Sequence, residues 1–143
     1  MQRRQLNLKH PSLRGLLDAL AALKTEHPAL TATLDELSLV VDELVSNLNK
    51  YARSQGQSTR FELELQLLPD RIECALYDDG PAFNPFAAAD PDLELPLEER
   101  PIGGLGLFLF RQLVHNGRYI SSPEGNCTQF TLAAPPYSDT GNR

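Results

Sequence analysis

Apolar positions in the first part of the chain recur at helical spacing and then give way to strict alternation. Residues 4–9 suit a short strand, after which Pro11 and Ser12 can open a helix with Leu13, Leu16, Leu17, Leu20 and Leu23 on one side. That helix is expected to stop near His27 and Pro28. The spacing predicts a second helix from Thr33, where Thr33-Leu34-Asp35-Glu36 has the form of a capping box: the threonine accepts from one free amide and Glu36 reaches back to another. Its apolar stripe is Leu34, Leu37, Val41, Leu44, Leu48 and Tyr51 or Ala52, and Gly56 is suited to leaving it.

Then the period changes to two. Phe61, Leu63, Leu65 and Leu67 alternate with Glu62, Glu64 and Gln66, and after Pro69-Asp70 the alternation resumes with Ile72, Cys74 and Leu76. This is an antiparallel hairpin with one wet and one buried face. Followed inward by twos, the second strand ends on Asp78, a carboxylate in the phase of the buried side chains. Burying it without a partner costs several kcal/mol, so a polar group should meet it. From Pro81 to Pro101 no period is sustained, and some twenty structureless residues suit a functional lid or a disordered loop, with Pro85 to Arg100 expected to be disordered or mobile without ligand. A helical run from Leu107 to Val114 follows, then strands near 118–122 and 127–134 that turn at Pro123-Glu124-Gly125-Asn126. A frayed tail is expected from 135 to 143.

Three stretches interrupt these patterns with chemistry. Glu43, Asn47 and Lys50 share one helical face at i, i+4 and i+7, where they can serve as base, metal-ion ligand and phosphate partner. The alternative is a solvated helix face. In Asp78-Asp79-Gly80 the aspartate can accept from an exocyclic amine and the glycine lets a flat ligand approach; the alternative is an acidic turn closing a strand. In Gly103-Gly104-Leu105-Gly106-Leu107 a glycine-rich turn opens a helix whose free amides can hold an anion. It is neither a Walker loop nor a full GxGxxG, because position 109 is leucine, and tight helix packing is the alternative.

Composition narrows the classes. With 143 residues, 41% hydrophobic and 22% charged, the chain suits one soluble globular domain over 1–143. A net charge of −6 leaves no basic surface for duplex nucleic acid. Cys74, Cys127 and the three scattered histidines have no zinc spacing and suggest no disulfide framework. Neither a secretory signal nor a stretch of about 18–20 apolar residues is present, so no membrane partner is expected and the cytoplasm is the expected compartment.

The order of the three stretches, with the long lid between the second and third, resembles the N, G1 and G2 boxes of the GHKL ATPases over residues 35–132. Within that superfamily, the stand-alone size, DDGPAFNP and GGLGLFLFRQLV look like the anti-sigma-factor serine/threonine kinases. The resemblance implies an α+β two-layer sandwich of the Bergerat type, a mixed, mostly antiparallel sheet covered on one face by helices. It implies ATP and Mg2+ as ligands. Asn47 would coordinate the magnesium, and Glu43 would orient or deprotonate the attacking hydroxyl. Asp78 would read the adenine amine, Gly80 would leave room for the ring, and Thr128 would support Asp78 through a water. Amides of Gly104, Leu105, Gly106 and Leu107 would hold phosphate, and Lys50 would approach it. Implied partners are a sigma factor or an anti-anti-sigma protein of the STAS type, with a second copy of the chain as a further one. Two departures stand out. Tyr51 takes the place of a histidine common in these kinases, and His115-Asn116 replaces a commonly acidic pair. The alternatives are a non-catalytic, nucleotide-controlled binding module and the ATP-binding half of a split histidine-kinase system.

Overall fold

A computed structural model describes residues 4–10, 12–57, 59–87, 94, 96 and 104–134. The chain opens with strand β1 (Arg4–His10) and helix α1 (Leu13–Glu26), whose first turn is capped by Ser12, its hydroxyl accepting from the Gly15 amide at 3.1 Å. Leu16, Leu20 and Leu23 bury the inner face of α1. A 3-10 turn, Pro28–Leu30, leads directly into helix α2 (Thr31–Ser54).

This start differs from the capping box expected at Thr33. Thr31 already has helical geometry at the end of the 3-10 turn, so no separate cap is needed, and the Thr31 hydroxyl donates to the Pro28 carbonyl at 2.9 Å. Thr33 therefore lies inside the helix, fully buried beside Leu34 and Leu37. At the far end of the stripe, Ala52 is in the core, whereas Tyr51 is 40% exposed. At about 100° per residue, positions 51 and 52 flank the direction of Leu44 and Leu48 on either side, and the choice falls to Ala52 because the Tyr51 ring packs on Phe83. Gly56 leaves the helix at φ +71°, a conformation that suits glycine.

The remaining elements are β2 (Phe61–Leu68), β3 (Arg71–Asp78), α3 (Gly104–Leu113), β4 (His115–Ser122) and β5 (Gly125–Ala133). The five strands form one sheet in the order β1-β2-β3-β5-β4, and every neighbouring pair is antiparallel. A mixed sheet was implied, but β2-β3 and β4-β5 are tight hairpins, and the long α1-α2 excursion returns the chain antiparallel to β1. Strand β4 starts three residues earlier than its pattern suggests. A register shift between His115 and Arg118, with Asn116 at φ 55°, hides the alternation there.

One face of the sheet carries the helices. Leu63, Leu65, Ile72, Leu76, Phe130 and Leu132 point from the sheet into a core closed by Leu20, Leu37, Val41, Leu44 and Phe110. Phe110 of α3 meets Phe130 edge-on, with centroids 5.5 Å apart, and so fixes α3 against the sheet. The lid expected at 81–101 is described only at its near end, Pro81 to Ala87, and at two isolated positions; its expected mobility and the frayed tail fall outside the described residues.

Candidate functional site

The inward alternation of β3 does end on Asp78, only 5% exposed. Its partner is Asn126, the residue opposite it in β5. The Asn126 amide donates to Asp78 Oδ1 at 2.9 Å and to the Gly80 carbonyl at 2.9 Å, while its own Oδ1 accepts from Ser121 at 2.7 Å. The Gly80 amide also donates to Asp78 Oδ1, at 3.0 Å. One carboxylate oxygen is thus fully engaged, and the other, Oδ2, is buried with no partner among the described residues. Burial pushes the Asp78 carboxyl above its usual range and Asp79 adds to this, whereas the bonds from Asn126 and Gly80 pull the other way. Gly125 holds φ +141°, and a Cβ there would stand 2.8 Å from the Asp78 carbonyl oxygen, so only glycine fits the turn.

Gly80 lies close against Thr59. A Cβ at that position would meet the Thr59 hydroxyl at 2.9 Å and Asp78 Oδ1 at 3.5 Å. Thr59 Oγ1 is buried and, like Asp78 Oδ2, has no partner among the described residues. Thr128 is buried on the same face, opposite Leu76 and one inward step along β5 from Asn126.

A second cluster lies where α2 meets α3. The Asn47 amide nitrogen donates both to the Glu43 carbonyl, at 2.7 Å, and to Glu43 Oε2. This turns the Asn47 oxygen away from Glu43 and holds the carboxylate on one rotamer. A Cβ on Gly106 would stand 2.1 Å from the Glu43 carboxyl carbon, so the carboxylate lies directly on the first turn of α3, where a negative charge is favoured by the free amides and the helix dipole. Gly104, Leu105, Gly106 and Leu107 form that turn, with Leu107 anchored in the core. Lys50 is exposed and joins this cluster by no hydrogen bond or ion pair among the described residues.

Between the clusters runs Phe83-Asn84-Pro85-Phe86, tied at several points. The Phe83 amide donates to the Tyr119 hydroxyl at 2.9 Å, and the Phe83 ring touches Tyr51 with centroids 5.8 Å apart. Arg111 donates to the Pro85 carbonyl at 3.0 Å, and Phe86 packs on Phe110 at 5.2 Å. Tyr51 is therefore spent on Phe83. A concavity of about 780 Å³ opens at the same end of the sheet, but Tyr77, Ile120 and Cys127, which line it, point away from the helices and place most of it on the bare face.

The histidine kinase-like ATPase domain model matches residues 7–132, nearly the whole chain. The chain belongs to that family. Among curated relatives, the serine/threonine-protein kinase BtrW of Bordetella bronchiseptica is 28% identical over 102 residues, 71% of this chain and 72% of BtrW. Among solved structures, the catalytic domain of the histidine kinase ThkA aligns over 94% of this chain and 98% of that one, at 15% identity and a TM-score of 0.44.

As a histidine kinase-like ATPase domain, the fold brings Glu43, Asn47 and Gly106 into one cluster, and Asp78, Gly80 and Thr128 onto one inner face. Sequence reasoning passed over Asn126 and Thr59. Both were within reach of the argument that found Asp78. Stepping by twos from Phe130 through Thr128 reaches Asn126, and stepping back by two from Phe61 reaches Thr59. Among the described residues no helix is long and apolar enough to cross a membrane.

Proposed function

We propose that this chain binds ATP with magnesium and acts as an anti-sigma factor, a cytoplasmic serine/threonine kinase that phosphorylates an antagonist protein of the STAS type. The observation that carries the reading is the carboxylate of Glu43, held by Asn47 against the first turn of α3 in a histidine kinase-like ATPase domain. The similarity to the serine/threonine-protein kinase BtrW supports it.

The residues fit such a ligand. Asp78 Oδ2 is a buried acceptor without a donor among the described residues, which suits the 6-amino group of adenine. The amides of Gly104, Leu105, Gly106 and Leu107 open a helix, the ordinary setting for phosphate. The Asn47 amide oxygen is a single neutral donor for a hard cation. Among the described residues no cluster of three or more acidic, histidine or cysteine side chains could cage a metal, which suits an ion held mostly by phosphate and water. Magnesium, when bound, supplies charge neutralisation at the phosphates. Glu43 accepts the proton of the incoming serine or threonine hydroxyl and orients its oxygen. The exposed ammonium of Lys50 can approach the phosphates from the same helical face.

Incubation with labelled ATP, magnesium and a candidate antagonist tests the reading: label should appear on a serine or threonine of the antagonist, and Glu43→Ala should abolish it. Normal ATP binding without transfer to any such partner would leave a nucleotide-controlled binding module, and partner regulation that survives Glu43→Ala would favour that alternative outright.

A further inference from the structure

Two side chains that meet at Gly80 each carry an oxygen without a partner among the described residues, and only one of these oxygens has a task in the function proposed above. Asp78 Oδ2 awaits a donor. Thr59 Oγ1, which lies against the same glycine as the Asp78 carboxylate, is equally buried and unpaired among the described residues. The register explains the juxtaposition. Phe61 pairs with Asp78, the Arg60 amide donates to Asp79 Oδ1 at 2.7 Å, and Thr59 therefore falls opposite Gly80. Because Gly80 has no side chain, the threonine hydroxyl comes within 2.9 Å of where a Cβ would be, and Asp78 Oδ1 lies 3.5 Å from the same point. The threonine does not spend its proton on Asp78, whose Oδ1 already takes Asn126 and Gly80. A buried hydroxyl left unpaired is a standing cost to the fold, and two such oxygens on residues that flank one glycine mark a place where a ligand supplies the missing bonds.

Together they present a fixed acceptor beside an available donor. The complementary edge is an amine next to an unprotonated ring nitrogen, as on adenine; guanine presents a carbonyl and a ring N–H in those places, the reverse pattern. We propose that Thr59 is a specificity-determining residue of the nucleotide site, its hydroxyl donating to ring nitrogen N1 of adenine while Asp78 accepts from the 6-amino group. This rests on the ATP reading and adds to it a second point of base recognition from the residue two before β2.

Calorimetric titration tests it with ATP and with 1-deaza-ATP, in which N1 is replaced by C–H, on wild type, Thr59→Val and Thr59→Ser. Valine keeps the shape and removes the hydroxyl; serine keeps the hydroxyl. Wild type should bind ATP about tenfold more tightly than 1-deaza-ATP, the worth of one buried hydrogen bond. Thr59→Val should weaken ATP by about the same factor and leave 1-deaza-ATP unchanged, and Thr59→Ser should stay near wild type. Equal affinity of wild type and Thr59→Val for ATP would overturn the proposal, as would a 1-deaza penalty that persists undiminished in Thr59→Val. In both cases wild type still binds ATP, so the nucleotide reading stands. A wild type that binds no ATP overturns that reading and this one with it. The comparison on wild type alone needs no variant to fold.

Discussion

The two clusters solve the problem of placing polar groups in opposite ways. Where α2 meets α3, Glu43 and Asn47 satisfy each other, remain partly open to water and lie against a glycine. Where β3 ends opposite the approach to β2, Asp78 Oδ2 and Thr59 Oγ1 are taken out of water and neither has a partner among the described residues. The first arrangement stores orientation at little cost to the fold. The second stores an unmet demand, and such a demand is costly in the empty protein and returned on binding. Changes to the first cluster should therefore alter rate without altering stability, and changes to the second should couple affinity to stability.

The largest effect is expected at Glu43. Glu43→Gln keeps shape and hydrogen bonding but removes the base proposed above, so the proposed phosphoryl transfer to an antagonist should fall by about 10²–10⁴-fold. ATP affinity and the urea midpoint should barely move. A transfer rate within a few-fold of wild type would remove Glu43 from the chemistry.

Asp78→Asn comes next. Two donors hold the Oδ1 position as an acceptor, so the new amide must place its NH2 where Oδ2 was, facing the base amine donor to donor. ATP should bind about 10–100-fold more weakly, the range for a bond to a charged group plus the mismatch. Inosine triphosphate, with a carbonyl at that place, should lose much less. The apo variant should be no less stable in urea at neutral pH, because a desolvated charge has gone. Equal binding of ATP by variant and wild type would sink the assignment of the base site.

How these clusters came to be legible in the sequence follows from the same contrast. Period-two alternation located Asp78 because burial of a strand-end carboxylate breaks the pattern. The helix face of Glu43 and Asn47 was visible as misplaced polarity at i and i+4. Long-range facts were not visible: that Thr59 lies opposite Gly80, that Asn126 answers Asp78, and that the Glu43 carboxylate rests on Gly106 all depend on strand register and helix docking. The capping box failed for a local reason, since the 3-10 turn at Pro28–Leu30 had already set helical geometry before Thr33. Periodicity leaves Tyr51 and Ala52 both open at the end of a long stripe, and a contact distant in sequence decides between them: the Tyr51 ring meets Phe83 and Ala52 takes the core.

Two glycines sharpen the comparison further. Gly125→Ala forces a side chain into a φ of +141° and against the Asp78 carbonyl, a backbone atom that cannot swing aside, and should cost about 1–3 kcal/mol in chemical denaturation. Gly106→Ala meets only the end of the Glu43 side chain, which can rotate away, and alanine gains up to about 1 kcal/mol of helix propensity. Its stability should stay within about 1 kcal/mol of wild type while phosphoryl transfer falls, since the carboxylate has lost its seat. Matching losses of stability in the two variants would erase the distinction between the clusters.

The smallest effect is a pH dependence with two opposed signs. Because burial raises the Asp78 carboxyl above its usual value, the neutral form is favoured by the fold. Its contribution to stability is fully present below the usual carboxylate pKa and is lost as pH rises through the folded one. Recognition of the base amine needs the ionised acceptor, so affinity should run the other way, falling as pH drops through that same raised pKa. The ratio of wild-type to Asp78→Asn affinity isolates this group, since titration of the nucleotide is common to both. Measured from about pH 7 down to about pH 4, the ratio should shrink, while the stability of wild type relative to the variant should improve. A ratio constant across that window would mean that Oδ2 does not face the base, and the buried demand at the end of β3 would then belong to some other donor.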